Sequence, residues 1–240
     1  MKNLPSALVF LCASAFLTLL SANELFAGQI LAADSFKRAD DEKNLGATEE
    51  GFIVWAPLAT ENAKPELSAQ PAIKNKALVM TSKGAGTPDD PADDSGVGIQ
   101  GAFLSSDFGD FKMTFDLSIQ QEPRTGDCWF AVTWKRLRID HSAAGGCMFL
   151  VRPKGGWVFF EGEKVVAQGE IPGFDGTGKF EIISANKKNT VKLGDEVLFS
   201  VEEEEVLDQT GYVGFLSLFQ DSDVQSVFER TIKDLVVSEP

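Results

Sequence analysis

The segment from Lys112 to Ile119 alternates polar and apolar side chains without a break. Met113, Phe115 and Leu117 share one parity with Ile119, and the residues between them are polar. Successive side chains of a β-strand point to opposite sides of the sheet, so this pattern predicts a strand with one buried face. A strand of this kind requires a second layer that covers its apolar side.

Further runs of β-branched and aromatic residues follow at short intervals along the chain. Turn-forming residues separate them at Pro153–Gly156, Pro172–Gly176 and Leu193–Asp195. Short strands at this spacing predict an all-β antiparallel sandwich or barrel. The predicted strands are Lys76–Thr81, Cys128–Trp134, Cys147–Arg152, Trp157–Phe160, Phe180–Ser184, Glu196–Val201, Tyr212–Phe219 and Val227–Val237.

Residues 1–27 have the pattern of a secretory signal peptide. Lys2 supplies the positive start, Ala7–Leu20 is predominantly apolar, and small residues follow. The run is short for a membrane span, which needs about 20 apolar residues. We therefore expect cleavage after Ala27 and export of the mature chain, with an uncleaved anchor as the alternative. We interpret residues 28–240 as one β-sandwich domain with no membrane span.

The chain is acidic, with a formal net charge of −14. Removal of residues 1–27 takes away one Lys and one Glu, so the mature chain has the same net charge. A surface of this sign repels nucleic acid and anionic lipid, and neither is expected as a partner. Solubility outside the cell explains the acidity, and cation binding is the alternative.

Two cysteines, Cys128 and Cys147, remain after the expected cleavage. Exported proteins meet oxidising conditions, so we predict a disulfide between them, across neighbouring strands. His141 is the only histidine, and two thiols with one imidazole do not supply the four ligands of a structural zinc site.

Short motifs at both ends of the mature chain form a recognisable set. Asp34–Asp40 has the form Asp-x-Phe-x-Arg-x-Asp, and Leu45-Gly46 and Trp55 follow it. Asn75–Leu78, Gly211–Phe215 and Phe228–Val237 complete the set, which resembles bacterial concanavalin A-like (laminin G-like) domains. This resemblance implies a jelly-roll sandwich with a concave sheet that often binds glycans and sometimes cleaves them.

Catalytic residues of the kind found in laminarinase-like hydrolases are not evident. Those enzymes place two glutamates and an aspartate on one strand, and no such segment is present. The nearest candidates are Glu161 with Glu163, or Asp140 with His141, as an acid–base pair. A strand end and a polar loop are the favoured interpretations of these pairs. The run Glu202–Glu205 indicates a solvated hairpin edge.

Four aspartates, Asp89, Asp90, Asp93 and Asp94, lie close together in a region rich in proline and glycine. Calcium takes six to eight oxygen ligands, and clustered carboxylates on a turn can supply several of them. The spacing does not match the helix–loop–helix calcium motif. A hydrated acidic loop is the favoured interpretation, and a calcium site is the alternative.

An aromatic strand supplies the candidate ligand site. Trp134 shares its parity with other bulky apolar residues, whereas Trp129 shares its parity with Ala131, Thr133 and Lys135. Small side chains between a ring and a cation leave a trough on which a sugar can stack. The predicted ligand contacts are Trp129, Thr133, Lys135, Arg152 and Trp157, and simple cover of the sandwich edge is the alternative.

The sequence therefore favours an exported, non-catalytic carbohydrate-binding or surface-associated domain whose partner is a glycan. A glycoside-processing enzyme of the keto-disaccharide hydrolase or laminarinase-like type is the first alternative, and a structural or protein-binding module is the second. No cofactor is expected apart from the calcium ion considered above.

Overall fold

Two antiparallel β-sheets pack face to face and form a sandwich. The computed structural model describes residues 28–59, 70–83, 97–122, 127–139, 145–203, 210–220 and 227–240. Within these ranges no helix is long and apolar enough to cross a membrane. The strands there are β1 (Ile30–Asp34), β2 (Trp55–Ala59), β3 (Ala72–Lys74), β4 (Ala77–Lys83), β5 (Val97–Phe108), β6 (Phe111–Glu122), β7 (Asp127–Arg136), β8 (Cys147–Val151), β9 (Gly156–Glu161), β10 (Lys164–Glu170), β11 (Thr177–Ala185), β12 (Lys188–Leu193), β13 (Glu196–Glu202), β14 (Gly211–Gln220) and β15 (Val227–Ser238).

The strand order identifies the architecture. One sheet has eight strands in the order β13-β12-β11-β6-β15-β4-β3, and β1 also pairs with β15. The other sheet has seven strands in the order β10-β9-β8-β7-β14-β5-β2. Neighbours in space are mostly distant in sequence, as expected of a jelly-roll with long connections between sheets. The predicted concanavalin A-like sandwich is confirmed.

The inward side chains of both sheets form one aromatic core. Phe115 on β6 lies at its centre, with ring centroids 5.7 Å from Phe180, 5.1 Å from Phe215 and 6.4 Å from Phe130. Phe180 belongs to the same sheet as Phe115, whereas Phe130 and Phe215 belong to the other sheet. These contacts join the two layers. They confirm the alternation predicted for β6, because Met113 and its apolar neighbours of the same parity are all buried.

The N-terminal motif closes one part of this core. The Asp34 carboxylate is fully buried and accepts hydrogen bonds from Arg38 at 2.6 and 3.0 Å, from Trp55 Nε1 at 2.8 Å and from the Phe36 amide at 2.9 Å. Arg38 also donates to the Leu45 carbonyl at 2.7 Å. The spaced motif residues thus converge on one carboxylate, and the motif stabilises the fold.

The predicted disulfide between Cys128 and Cys147 is wrong. β7 and β8 are neighbours, but Cys147 pairs in register with Trp134, six residues from Cys128. At about 3.3 Å per residue the two cysteines are about 20 Å apart along the sheet, well beyond the Cα separation of about 7 Å that a disulfide tolerates. Both side chains are buried in the core as thiols. Neighbouring strands were predicted correctly, but the register excludes the bond.

Candidate ligand-binding face

The seven-stranded sheet carries a second apolar cluster on the face turned away from the core. A sandwich needs only one buried face on each sheet, so this cluster exceeds what the fold requires. We call this surface the outward face. Its buried members are Phe103, Ala131, Met148, Leu150 and Leu216, and the partly buried residues packed against them are Leu58, Trp129, Ile139, Phe160 and Tyr212.

Strand register aligns the outward side chains in two rows across the sheet. At a spacing of about 4.8 Å, seven strands make the first row about 29 Å long, and the second row is apolar over six strands, about 24 Å, because Gln168 takes its position on β10. The first row contains Val165, Phe160, Met148, Thr133, Gly214, Phe103 and Ala56. The second contains Val158, Leu150, Ala131, Leu216, Gly101 and Leu58.

Gly214 lets the Phe103 ring lie flat on this face. A Cβ atom at Gly214 would lie 2.4 Å from Phe103 Cδ1 and 2.7 Å from its Cγ, closer than any real contact. The ring therefore occupies the space that a side chain on β14 would take. Because of this packing, no side chain rises from the sheet at Gly214, and the Phe103 ring gives the middle of the first row an apolar surface.

Three aromatic rings on the outward face remain partly accessible. Trp129, Phe160 and Tyr212 are each of intermediate exposure and come from three different strands. Tyr212 pairs in register with Arg136, whose side chain is only 1% exposed. Rings with polar groups beside them can bind a ligand that has both apolar faces and hydroxyls.

The eight-stranded sheet has an outward face of the opposite character. Lys112 and Lys192 donate to the two oxygens of Glu181 at 3.0 and 2.7 Å, in ion pairs that bridge β6, β11 and β12. The hydroxyls of Thr190 and Ser200 are hydrogen-bonded at 2.7 Å and exposed. This face is therefore polar and solvated. The contrast makes the outward face of the seven-stranded sheet the candidate for a ligand surface.

A β-bulge in β7 changes the predicted set of outward residues. Gly214 pairs with Thr133 but Tyr212 pairs with Arg136, so β7 contains one extra residue at this point. Lys135 adopts a left-handed φ of 54° there. The bulge reverses the parity of the strand. The predicted position of Lys135 on the outward face is therefore wrong, and Arg136, which takes the outward parity, is buried to 1% exposure.

Lys135 instead points into the end of the sandwich. Its ammonium lies 2.5 Å from Glu203 Oε1, and the two side chains are 6% and 1% exposed. Asn189 Nδ2 donates to Glu203 at 3.2 Å and to Glu161 at 3.4 Å, while its Oδ1 accepts from Trp134 Nε1 at 3.0 Å. This network joins the two sheets. Because Glu203 belongs to this buried network, its predicted position on a solvated hairpin edge is wrong.

The interior network leaves the neighbouring thiol unreactive. Burial raises the pKa of the Cys147 thiol well above its usual range, and the Glu161 and Glu203 carboxylates raise it further. Asn189 Nδ2 lies 3.7 Å from the sulfur. A buried thiol in this environment stays protonated and is a weak nucleophile.

Two of the three further predicted contacts are not accessible beside Trp129. Thr133 has the predicted parity but is completely buried. Trp157 is an inward residue of β9, and its ring stacks on Phe199 at 5.3 Å inside the core. Arg152 is exposed and directly follows Val151, which pairs in register with Phe130, so its backbone comes next to Trp129. The predicted site therefore loses Thr133 and Trp157 to burial, and Trp129 and Arg152 remain as its accessible members.

The two carboxylates of the predicted pair, Glu161 and Glu163, also lie on different sides of the strand end. β9 ends at the inward residue Glu161, and the turn that follows leaves Glu163 exposed to solvent. The two side chains do not share a face because the strand does not continue through both. Asp140 and His141 lie outside the described residues.

Metal ligands were expected only in the acidic loop. Asp89, Asp90, Asp93 and Asp94 all fall outside the described residues. Among the residues that are described, no group of three or more His, Cys, Asp or Glu side chains could hold a metal ion.

Solved structures share this architecture at low sequence identity. The endo-β-1,3-glucanase from Pyrococcus furiosus aligns with a TM-score of 0.61 and 10% identity over 88% of this chain and 94% of its own. A protein of unknown function with a galectin-like fold from Bacillus subtilis aligns at 0.58 and 10% over 89% and 97%. The carbohydrate recognition domain of Emp47p aligns at 0.56 and 10% over 87% and 97%. No protein-family model and no curated protein matches the sequence. The likeness shows the fold alone.

Proposed function

We propose that this protein is an exported, non-catalytic carbohydrate-binding domain whose glycan lies on the outward face of the seven-stranded sheet. The observation that carries the proposal is the second apolar cluster, with three accessible rings, on a face that the core does not use. Solved structures with this fold include proteins named as glucanases and as carbohydrate recognition domains. The signal-like pattern of residues 1–27 supports export.

The rings of Trp129, Phe160 and Tyr212 provide the binding surface in this proposal. The C–H faces of a pyranose stack on such rings, because burial of apolar area there displaces water from both partners. The Tyr212 hydroxyl and the Trp129 indole N–H can bond sugar hydroxyls at the edges of the rings.

The distribution of carboxylates supports binding without cleavage. Hydrolysis by this class of enzyme requires two carboxyl groups that face the sugar from one cleft. The outward side chains from Trp129 to Arg136 on β7, at Met148 and Leu150 on β8, and from Tyr212 to Leu218 on β14 include no carboxylate. Glu161, the nearest candidate, points into the sandwich and bonds Asn189.

A glycan array with the mature protein is the first experiment. We expect the wild type to bind a subset of the glycans and the variant Trp129→Ala to lose at least tenfold in affinity. Phe52→Ala is the matched control, because Phe52 is 82% exposed but lies in the turn before β2, outside the sheet. This control should bind like the wild type.

Incubation of each bound glycan with the protein then separates the candidate functions. Recovery of the intact glycan supports a binding domain, and release of shorter sugars would identify a glycoside-processing enzyme. If no glycan on the array is bound, the proposal is wrong. A structural or protein-binding module is then the favoured function.

A further inference from the structure

Arg230 is a cation buried between the two sheets. It is fully buried and lies on β15, between Phe228 and Ile232 on the same inward parity. Its guanidinium stacks over the Phe228 ring, with Cζ 4.2 Å from the ring centroid. Burial lowers the pKa of Arg230 to about 9, while nearby Cys128 and Glu229 act to raise it. The side chain therefore keeps its charge at neutral pH.

Among the described residues, every group that accepts a hydrogen bond from Arg230 is neutral. Nη1 donates to the Phe228 carbonyl, and Nη2 donates to the hydroxyls of Ser82, at 3.1 Å, and Ser217. Ser82 belongs to the eight-stranded sheet and Ser217 to the seven-stranded sheet. No carboxylate among the described side chains forms an ion pair with this guanidinium. Arg230 thus joins the sheets through hydroxyls and not through a salt bridge.

Two buried polar atoms near this arginine have no hydrogen-bond partner among the described residues. One is the donor Arg230 Nε, and the other is the acceptor Gln100 Oε1. Gln100 pairs in register with Ser217 on the neighbouring strand, so both side chains enter the same region of the core. Gln100 Nε2 donates to the Thr81 carbonyl at 2.7 Å, which fixes the amide and leaves Oε1 turned away from that bond.

We propose that Arg230 and Gln100 hold one buried structural water, which accepts a hydrogen bond from Arg230 Nε and donates one to Gln100 Oε1. A buried polar atom with no partner keeps the full cost of its desolvation, so a water that bonds both atoms stabilises the fold. Buried waters make about three hydrogen bonds. The hydroxyls of Ser82 and Ser217 can supply the third, because each accepts from Nη2 and still has a proton to donate.

The pairing of a donor with an acceptor distinguishes water from an anion. Chloride would accept from Arg230 Nε and neutralise the guanidinium, but it would be repelled by the lone pairs of Gln100 Oε1. Water satisfies both atoms because it donates and accepts.

A crystal structure of the mature protein at about 1.2 Å resolution, from crystals grown in bromide, tests the proposal. We expect a solvent peak at about 2.7–3.2 Å from both Arg230 Nε and Gln100 Oε1, with no anomalous signal at the bromine edge. Gln100→Met removes the acceptor at similar length, and the peak should be lost. Gln168→Met, at an exposed position of β10, is the matched control and should retain it.

Four outcomes would overturn the proposal. They are an anomalous peak at this position, a side chain of the protein in the position of the water, a peak that contacts only one of the two atoms, and no peak at all. The wild-type crystals decide the question even if Gln100→Met does not fold.

Discussion

The Lys135 ammonium lies 2.5 Å from the Glu203 carboxylate inside the sandwich, although Lys135 belongs to a strand whose regular alternation would place it outside. The cause is the β-bulge at this point of β7. Gly211 on the neighbouring strand makes the bulge possible, since a Cβ atom there would lie 2.5 Å from the Lys135 carbonyl carbon. One backbone irregularity thus moves the Lys135 cation from the outward face to the interior.

Replacement of Lys135 by Met should destabilise the protein strongly. Loss of the ammonium leaves the Glu203 carboxylate buried without its cation, and breaking a buried pair in this way costs about 3–5 kcal/mol. Lys112→Met is the control, because Lys112 forms an exposed pair with Glu181 that is worth about 0–1 kcal/mol. Urea unfolding of both variants measures the difference. Equal losses would show that the pair of Lys135 with Glu203 is not buried in solution.

Replacement of Asp34 by Ala should also be costly, by about 3–5 kcal/mol. The substitution removes the acceptor for Arg38 and for Trp55 Nε1 together, and both donors stay near the core. Asp34→Asn should lose less, because the amide oxygen keeps one acceptor. Asp195→Ala, in an exposed turn, should stay within about 0.5 kcal/mol of the wild type. A loss at Asp34 no larger than that at Asp195 would contradict the structural role of the N-terminal motif.

Gly214→Ala tests the packing of the outward face. The added methyl group overlaps the Phe103 ring, so we expect a loss of about 1–3 kcal/mol in the free energy of unfolding. In the double variant Gly214→Ala/Phe103→Leu, the smaller leucine side chain leaves room for the added methyl group. Part of the loss should therefore be recovered, because the two positions are in contact. Gly109→Ala is the control, since a Cβ atom there meets only Thr210 Cγ2, at 3.7 Å. If the effects of Gly214→Ala and Phe103→Leu on the free energy of unfolding are additive, Phe103 does not lie over Gly214.

Acid should weaken the fold through Glu181. Partial burial raises the pKa of this carboxyl, but hydrogen bonds from Lys192 and Lys112 outweigh that effect and hold it below its ordinary value of 4.5. The unfolded chain then binds the proton more readily, so the contribution of Glu181 is complete above pH 4.5 and is lost as pH falls through the lower folded pKa. Unfolding of the wild type and Glu181→Gln, between about pH 6 and pH 3, should show the smaller acid dependence in the variant. Glu196→Gln, on an exposed edge, should behave like the wild type.

Regular alternation made β6 and most of β7 predictable from the sequence. The pattern from Lys112 to Ile119 gave the buried face correctly, and Trp134 and Trp129 do lie on opposite faces of β7. The alternation breaks after Thr133, because a bulge depends on close backbone approach by another strand and not on the local pattern. The local pattern also does not predict the burial of Glu203, whose partner is 68 residues away in sequence.

Some of the missed features did leave a signal in the sequence. Cys147–Val151 is apolar at every position, which is typical of a strand that is buried on both faces, and this pattern predicts an apolar outward face at Met148 and Leu150. Arg230 stands between Phe228 and Ile232 on the apolar parity of β15, which predicts a buried arginine. Six of the described strands were not predicted, β1, β2, β3, β5, β10 and β12; in β2 and β5 proline and glycine interrupt the pattern.

Iodide quenching of tryptophan fluorescence tests the outward face most directly. Trp55, Trp134 and Trp157 are buried to 7% exposure or less, so Trp129 is the one tryptophan of the four that a quencher in solvent can reach. We predict that a saturating amount of a glycan selected on the array abolishes the quenchable fraction of the emission. Phe52→Ala should show the same protection. Quenching that is unchanged by a bound glycan would contradict the account, because the sugar would then bind away from Trp129.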